Sequence, residues 1–367
     1  MDNQKIRVAI THGDTNGTGY ELILKAFEDP TMLELCTPIV YGSPKVAAYH
    51  AKALGIETQF TIINRAEEAK DGRLNLLNCF DDEVKVELGQ PTEESATAAR
   101  KALDKALSDY QQGAYDVLVA NPMNAFDVAA YVQKALDGKA QSLTLRCSDD
   151  LRVALVTNHV ALKEVPEAIT KQKIMEKVQL MHQCLRRDLS ISSPRIAVMA
   201  LNPHANEEAE LGEEEQEIIA PAISELASQG IQAFGPYPTD TFFGNSQYLR
   251  FDGVLAMYYD QGMTPFKSIV AEGSVDLTTG LPLVLTAPAQ DADFEHAGKN
   301  QADALPLLHA IYMAIDVARN RDNYDEPLQN PLPKLYHEKR DDSEKVRFRS
   351  SERKGDDKKE QKEETAE

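Results

Sequence analysis

The sequence predicts a layered α/β protein with largely parallel sheets, and three observations carry that expectation. Short runs rich in Val, Ile and Leu alternate with longer helical stretches along most of the chain. Within the runs apolar residues sit at consecutive positions, as strands covered on both faces require. The residues just after the runs are polar, the arrangement expected where ligands meet the carboxyl ends of parallel strands. With 367 residues, 42% of them hydrophobic, there is enough apolar material for two α/β domains.

Taken in order, strands are expected at 5–10 (KIRVAI), 37–42 (TPIVYG), 60–64 (FTIIN), 116–121 (DVLVAN), 151–157 (LRVALVT), 195–201 (RIAVMAL), 252–258 (DGVLAMY) and 281–286 (LPLVLT). Helices are expected at 92–113, at 171–189, at 211–230 with acids in its first turns and a closing Gly230, and at 302–321. From residue 323 onward the text turns Pro-rich and then highly charged, with too little apolar material to offset the entropy of ordering it, so 323–367 is expected to be a disordered tail.

Composition excludes several roles. A formal charge of −20 disfavours nucleic acid, whose phosphates are gripped by Lys and Arg. No apolar run approaches the roughly 20 residues that cross a bilayer, and MDNQKIRVAITHGD lacks the features of a signal peptide, so a cytoplasmic protein is expected. Cys36, Cys79, Cys147 and Cys184 have no CxxC spacing and read as reduced thiols.

Three features could carry chemistry. Gly13, Gly17 and Gly19 lie between a strand and a helix, either letting backbone amides approach an anion or simply forming a tight turn; the spacing is not GxGxxG. His159 and His204 each follow a strand and could share a divalent metal, or could be ordinary loop residues. Lys267 follows the segment 258–266, which breaks from an apolar strand into a polar loop, and could neutralise a carboxylate or phosphate or be a solvated surface charge.

Together these segments resemble a known family. GDTNGTGYE is similar to GDPAGIGPE, LNPHANEEAELGEEE to NPHAGE with a GxEE helix start, and LAMYYDQGMTPFK with TTGLP to AMYHDQGLxPxK with GLP. The combination looks like the 4-hydroxythreonine-4-phosphate dehydrogenases of vitamin B6 biosynthesis, and the similarity runs in order from Ile6 to Arg319. It implies a two-domain subunit like the isocitrate and isopropylmalate dehydrogenases, with 1–122 plus 272–322 as one domain and 123–271 as the other. It also implies a homodimer with its active site at the domain and subunit interface, a phosphorylated small-molecule substrate or analogue, NAD or NADP as hydride acceptor, and a divalent metal (Zn, Mg or Co) held by three histidines. Two of those histidines match His159 and His204; at the third position this chain has Tyr259.

Other positions also depart from the family pattern. A GHTE motif has no counterpart in the shortened segment 121–153, and Ala125 follows Asn124 where a lysine is expected. Lys267 matches a substrate-binding lysine, Asp276 falls on a substrate-binding asparagine, Leu285 on an arginine, and 290–293 (QDAD) on HGTA. One charge-assisted hydrogen bond is worth about 1.5–3 kcal/mol, so arginine to leucine alone costs roughly ten- to a hundredfold in holding a phosphate. Asp276 adds repulsion, and a neutral phenol is a poor metal ligand. Two expectations follow: a family dehydrogenase whose activity is weakened, lost or retargeted, or a non-catalytic paralogue acting as a ligand-binding or regulatory dimer.

Overall fold

The computed structural model describes residues 5–57, 60–80, 84–138, 141–204 and 212–330. Residues 1–326 form one compact unit, and of the second unit, 327–367, the described part is the end of a helix. The strands are β1 (Ile6–Thr11), β2 (Cys36–Gly42), β3 (Thr61–Ile63), β4 (Asn75–Asn78), β5 (Val117–Ala120), β6 (Leu143–Cys147), β7 (Arg152–Leu155), β8 (Arg195–Met199), β9 (Gln232–Tyr237), β10 (Gly253–Ala256), β11 (Val275–Thr279) and β12 (Val284–Pro288). Among the described residues they form one 12-stranded sheet in the order β3-β4-β2-β1-β5-β12-β11-β6-β7-β10-β8-β9.

The first six strands in that order are mutually parallel, as are the last four. Between them β11 pairs antiparallel with β12 and β6, and β6 pairs antiparallel with β7, so the two parallel sets run in opposite senses. The largely parallel layered fold is as the sequence predicts, with a centre that is antiparallel.

That centre also explains why the sequence hid four strands. β6 reads LTLRC and β11 reads VDLTT: Leu143, Leu145 and Cys147, with Val275 and Leu277, are buried, while Thr144, Arg146 and Asp276 between them are half-buried. Side chains alternate across a strand, so one face enters the core and the other is left to line a cleft. Neither they nor the short β4 and half-exposed β9 show the continuous apolar run of a strand covered on both faces.

Helices cover the sheet where their patterns say they should. Glu93–Gln111 starts at Thr92, whose hydroxyl accepts from the Ser95 amide at 3.1 Å while the Ser95 hydroxyl accepts from the Thr92 amide at 3.2 Å. Its Ala102, Leu103, Ala106 and Leu107 recur at helical spacing and are buried against the strand face bearing Tyr41 and Leu118. Two expectations need correction. Tyr258 is followed at once by the helix Tyr259–Ile269, so 259–262 is a first helical turn and no loop. The last helix, Leu305–Gln329, continues past residue 323, where the tail was expected to begin; the rest of that tail, 331–367, lies outside the described residues.

Candidate active site

Most of the family-like motifs build the frame of the site. The turn after β1 is packed solid: the Asp14 amide donates to the Pro122 carbonyl at 3.1 Å, the Thr18 amide to the Ala292 carbonyl at 3.0 Å, and the Gly17 amide to the Asp14 carbonyl at 3.1 Å. Gly19 is required there, because a Cβ would lie 1.9 Å from the His12 carbonyl oxygen. These amides are spent on the protein, so of the two readings of this glycine-rich stretch the tight turn holds.

The segments around 202 and 261 are clamps. Glu215 accepts from the Leu201 and Asn202 amides, each at 2.8 Å, and the Asn202 side chain donates to Glu215 at 3.0 Å and to Glu214 at 2.9 Å. This fixes the turn that carries His204, an exposed residue with φ 56°. Gln261 is buried: it accepts from the Met257 amide at 2.6 Å and donates to the Ala200 carbonyl and the Thr239 hydroxyl, tying the ends of β8 and β10 together. Beside it, a Cβ on Gly262 would come within 2.8 Å of Leu155, so the helix lies directly on the sheet.

The cleft lies over the outward face of β6 and β11. A larger chamber of about 620 Å³ takes in the segment after β5, from Asn121 to Ala129, together with Asn158, His159, β12 residues and Asp291. A smaller chamber of about 280 Å³ adjoins it, lined among others by Ser142, Lys177, Tyr259 and Met263. Thr144, Arg146, Asp127, Asn158 and Asp276 border both.

Arg146 is the central group. Its Nε donates to Asp276 Oδ1 at 2.9 Å and its Nη2 to Asp276 Oδ2 at 2.8 Å, directly across the β6–β11 ladder. Burial works against its charge, but the Asp276 carboxylate, with Tyr259 and Asp291 nearby, offsets that and holds the guanidinium pKa above its usual value. Behind the pair the Thr144 and Thr278 hydroxyls share a hydrogen bond of 3.1 Å. Lys177 approaches from the helix Lys171–Gln183, its Nζ donating to the Ser142 carbonyl at 2.9 Å, and burial lowers its pKa. Asn121, fully buried on the larger chamber, has no partner for either amide atom among the described residues.

The sequence-predicted residues divide accordingly. His159, Tyr259 and Asp276 line the cleft; Lys267 is exposed on its helix and His204 on its turn, and neither lines either chamber. Asp276 is engaged by Arg146, so its charge is not turned as an unpaired repulsion on a ligand. Leu285 is buried among Leu103, Leu118 and Leu283. The His159 side chain is 78% exposed, its Nε2 3.8 Å from the Asp127 carboxylate. Among the described residues no three His, Cys, Asp or Glu side chains converge as a metal would need, so the described residues do not fit the three-ligand site the resemblance implies. Arg146, Lys177 and Asn121 were missed by sequence reasoning; the alternation in LTLRC is the signal that exposes Arg146.

Fold and cleft together define a layered α/β protein with a ligand-sized, charge-paired cleft over the centre of its sheet. Comparison with known proteins gives the family. The family described as "Pyridoxal phosphate biosynthetic protein PdxA" matches residues 34–314. A 4-hydroxythreonine-4-phosphate dehydrogenase of Bacteroides thetaiotaomicron is 49% identical over 95% of this chain and 98% of its own length. Another, from Sulfurihydrogenibium sp., is 33% identical over 86% of this chain and 99% of its own. The crystal structure of the Klebsiella pneumoniae 4-hydroxythreonine-4-phosphate dehydrogenase shares the fold, with a TM-score of 0.72 at 24% identity over 87% of this chain and 99% of that one. The chain belongs to the PdxA family of pyridoxal phosphate biosynthesis. No described helix is long and apolar enough to cross a membrane.

Proposed function

We propose that this chain is a dehydrogenase that oxidises 4-phosphohydroxythreonine, or a small phosphorylated hydroxy acid like it, with NAD or NADP as hydride acceptor. The relatives it matches along nearly their whole length are named for that reaction. The observation that carries the reading is the cleft itself, which sets a half-buried guanidinium, neutral hydrogen-bonding groups and carboxylates around a space of substrate size. In the reaction the hydroxyl-bearing carbon gives a hydride to the nicotinamide and the hydroxyl loses its proton. The resulting β-keto acid then loses carbon dioxide. The protein contributes binding and orientation: Arg146 and Asp276 are fixed by each other on a rigid strand pair, so a substrate held by them pays little to be aligned.

Tyr259 and Leu285, at positions where the family pattern has a metal-binding histidine and an arginine, favour a second reading in which the same cleft takes a different phosphorylated acid. No step is assigned to a metal, and the subunit is proposed to work as a homodimer. One assay addresses all of this: purified protein with 4-phosphohydroxythreonine, NAD or NADP, with and without added Zn, Mg or Co, followed by the absorbance of the reduced nicotinamide. Turnover supports the reading, and its dependence on added ion reports metal use. No reduction under any combination, together with binding of the substrate, would establish the non-catalytic alternative instead.

A further inference from the structure

We propose that Arg146 and Lys177 hold the phosphate end of the substrate in the smaller chamber. The inference rests on the dehydrogenase reading only for what the phosphate is attached to; the anion site stands on the geometry.

Arg146 meets Asp276 side-on, through Nε and Nη2. A guanidinium has five N–H groups, and this arrangement uses one edge of the fork. The other edge, Nη1 with the second Nη2 proton, has no acceptor among the described residues and is free to meet a second oxyanion end-on. Among the described residues Lys177 donates to a single acceptor, the Ser142 carbonyl, which leaves two of its three N–H groups. Both cations line the 280 Å³ chamber, where they balance the carboxylates of Asp127 and Asp276. The larger chamber has Asp127, Asp276 and Asp291 against Arg146 alone. An anion therefore finds its favourable end in the small chamber, and a substrate ammonium group finds its own among the acids of the large one. The unused N–H groups of the two cations match the three terminal oxygens of a phosphate monoester better than the two of a carboxylate.

The same geometry bears on Leu285. Where the family pattern carries an arginine, this chain has a leucine buried in the core, yet Leu285 borders the larger chamber alongside Arg146. A guanidinium is thus still present in the cleft, delivered from a strand elsewhere in the sheet. It is anchored by Asp276, the residue that falls on the family's asparagine.

Calorimetric titration with inorganic phosphate and with acetate tests this on three proteins: the full-length wild type, the double variant Arg146→Gln with Asp276→Asn, and Lys177→Met. The double variant removes the pair without leaving a carboxylate unpartnered, and Lys177→Met is an independent route should the first fold poorly. Phosphate should bind the wild type and lose about ten- to a hundredfold in affinity in each variant, with acetate binding much more weakly throughout. Phosphate affinity unchanged in both variants, or acetate bound as tightly as phosphate, overturns the assignment. Wild type without turnover but with variant-sensitive phosphate binding keeps the anion site and sinks the dehydrogenase reading. Turnover with the same KM in all three proteins does the reverse.

Discussion

Asp188 and Arg321 form a buried ion pair whose removal should be among the most damaging single changes in the molecule. Their side chains are 1% and 7% exposed, with Arg321 Nε 2.7 Å from Asp188 Oδ1 and Nη2 3.2 Å from Oδ2. The Thr279 hydroxyl donates to the same carboxylate at 3.1 Å, the Asn320 side chain donates to the Asp188 carbonyl at 2.8 Å, and Arg321 Nη1 reaches the Leu281 and Pro282 carbonyls at 3.3 Å. The knot therefore joins the helix 305–329, the segment after helix 171–183 and the β11–β12 turn. Arg321→Met leaves Asp188 charged in the interior, with the Thr279 hydroxyl and the Cys184 thiol beside it and Arg187 at 3.9 Å. Breaking a buried pair from one side costs about 3–5 kcal/mol. Urea unfolding followed by circular dichroism reads this as a midpoint lowered by roughly 1–1.7 M, taking a slope near 3 kcal/mol/M for a chain of this size. Removing both charges in Arg321→Met with Asp188→Leu should recover much of the loss, because the unpaired charge is what the single variant suffers from. A single variant within about 1 kcal/mol of wild type, or a double variant as damaged as the sum of the singles, would refute this account.

Two further outcomes follow from the turn after β1. Gly19→Ala, which drives a Cβ against the His12 carbonyl, should cost about 3 kcal/mol or more. Gly55→Ala, at φ 68° with open space around it, should cost about 1–2 kcal/mol from the left-handed conformation alone; equal losses in the two unfolding curves would show that the turn yields. His12 is fully buried against Tyr20, and burial lowers its pKa from 6.5 to about 3. The unfolded chain therefore takes up a proton below pH 6.5 that the folded chain refuses. The stability from neutral His12 is complete above pH 6.5 and is lost as pH falls toward 3, by up to about 1.4 kcal/mol per pH unit. His12→Gln should flatten that acid limb in unfolding measured from pH 7 to 4, and an unchanged slope would contradict it.

What the sequence disclosed follows from what each element has to bury. β1, β2, β5, β8, β10 and β12 are covered on both faces and wrote that requirement into continuous apolar runs, so their positions were legible. The helix 93–111 was legible for the matching reason, an alanine and leucine stripe behind a threonine cap. The cleft was not, because its strands are covered on one face and their open face carries threonine, arginine and aspartate. Arg146 and Asp276 are 130 residues apart, and pairing them requires the register of the β6–β11 ladder, which no local pattern reports. The same holds for the Asn202–Glu215 and Gln261 clamps: the motifs were visible, but their hydrogen bonds show them to be framework.

The cleft also bears on what a missing motif residue means. Leucine at 285 and aspartate at 276, read one position at a time, subtract a cation and add an anion, and the product is a cleft hostile to phosphate. Read in space, the aspartate is neutralised by Arg146 on the neighbouring strand, with Lys177 on the same chamber. Electrostatic recognition depends on where charges sit relative to the ligand, and a cation two strands away on the same cleft can stand in for one at the original position. Substitutions at family positions therefore count against activity only once the surrounding strands have been searched for a replacement, and here a replacement stands. Tyr259 is different in kind: it lines the small chamber at the start of its helix, and among the described residues no three histidine, cysteine, aspartate or glutamate side chains converge as a metal would need. The anion-binding half of the chemistry thus has a physical basis in this chain, and the titration and turnover assays ask separately whether the metal-dependent half does.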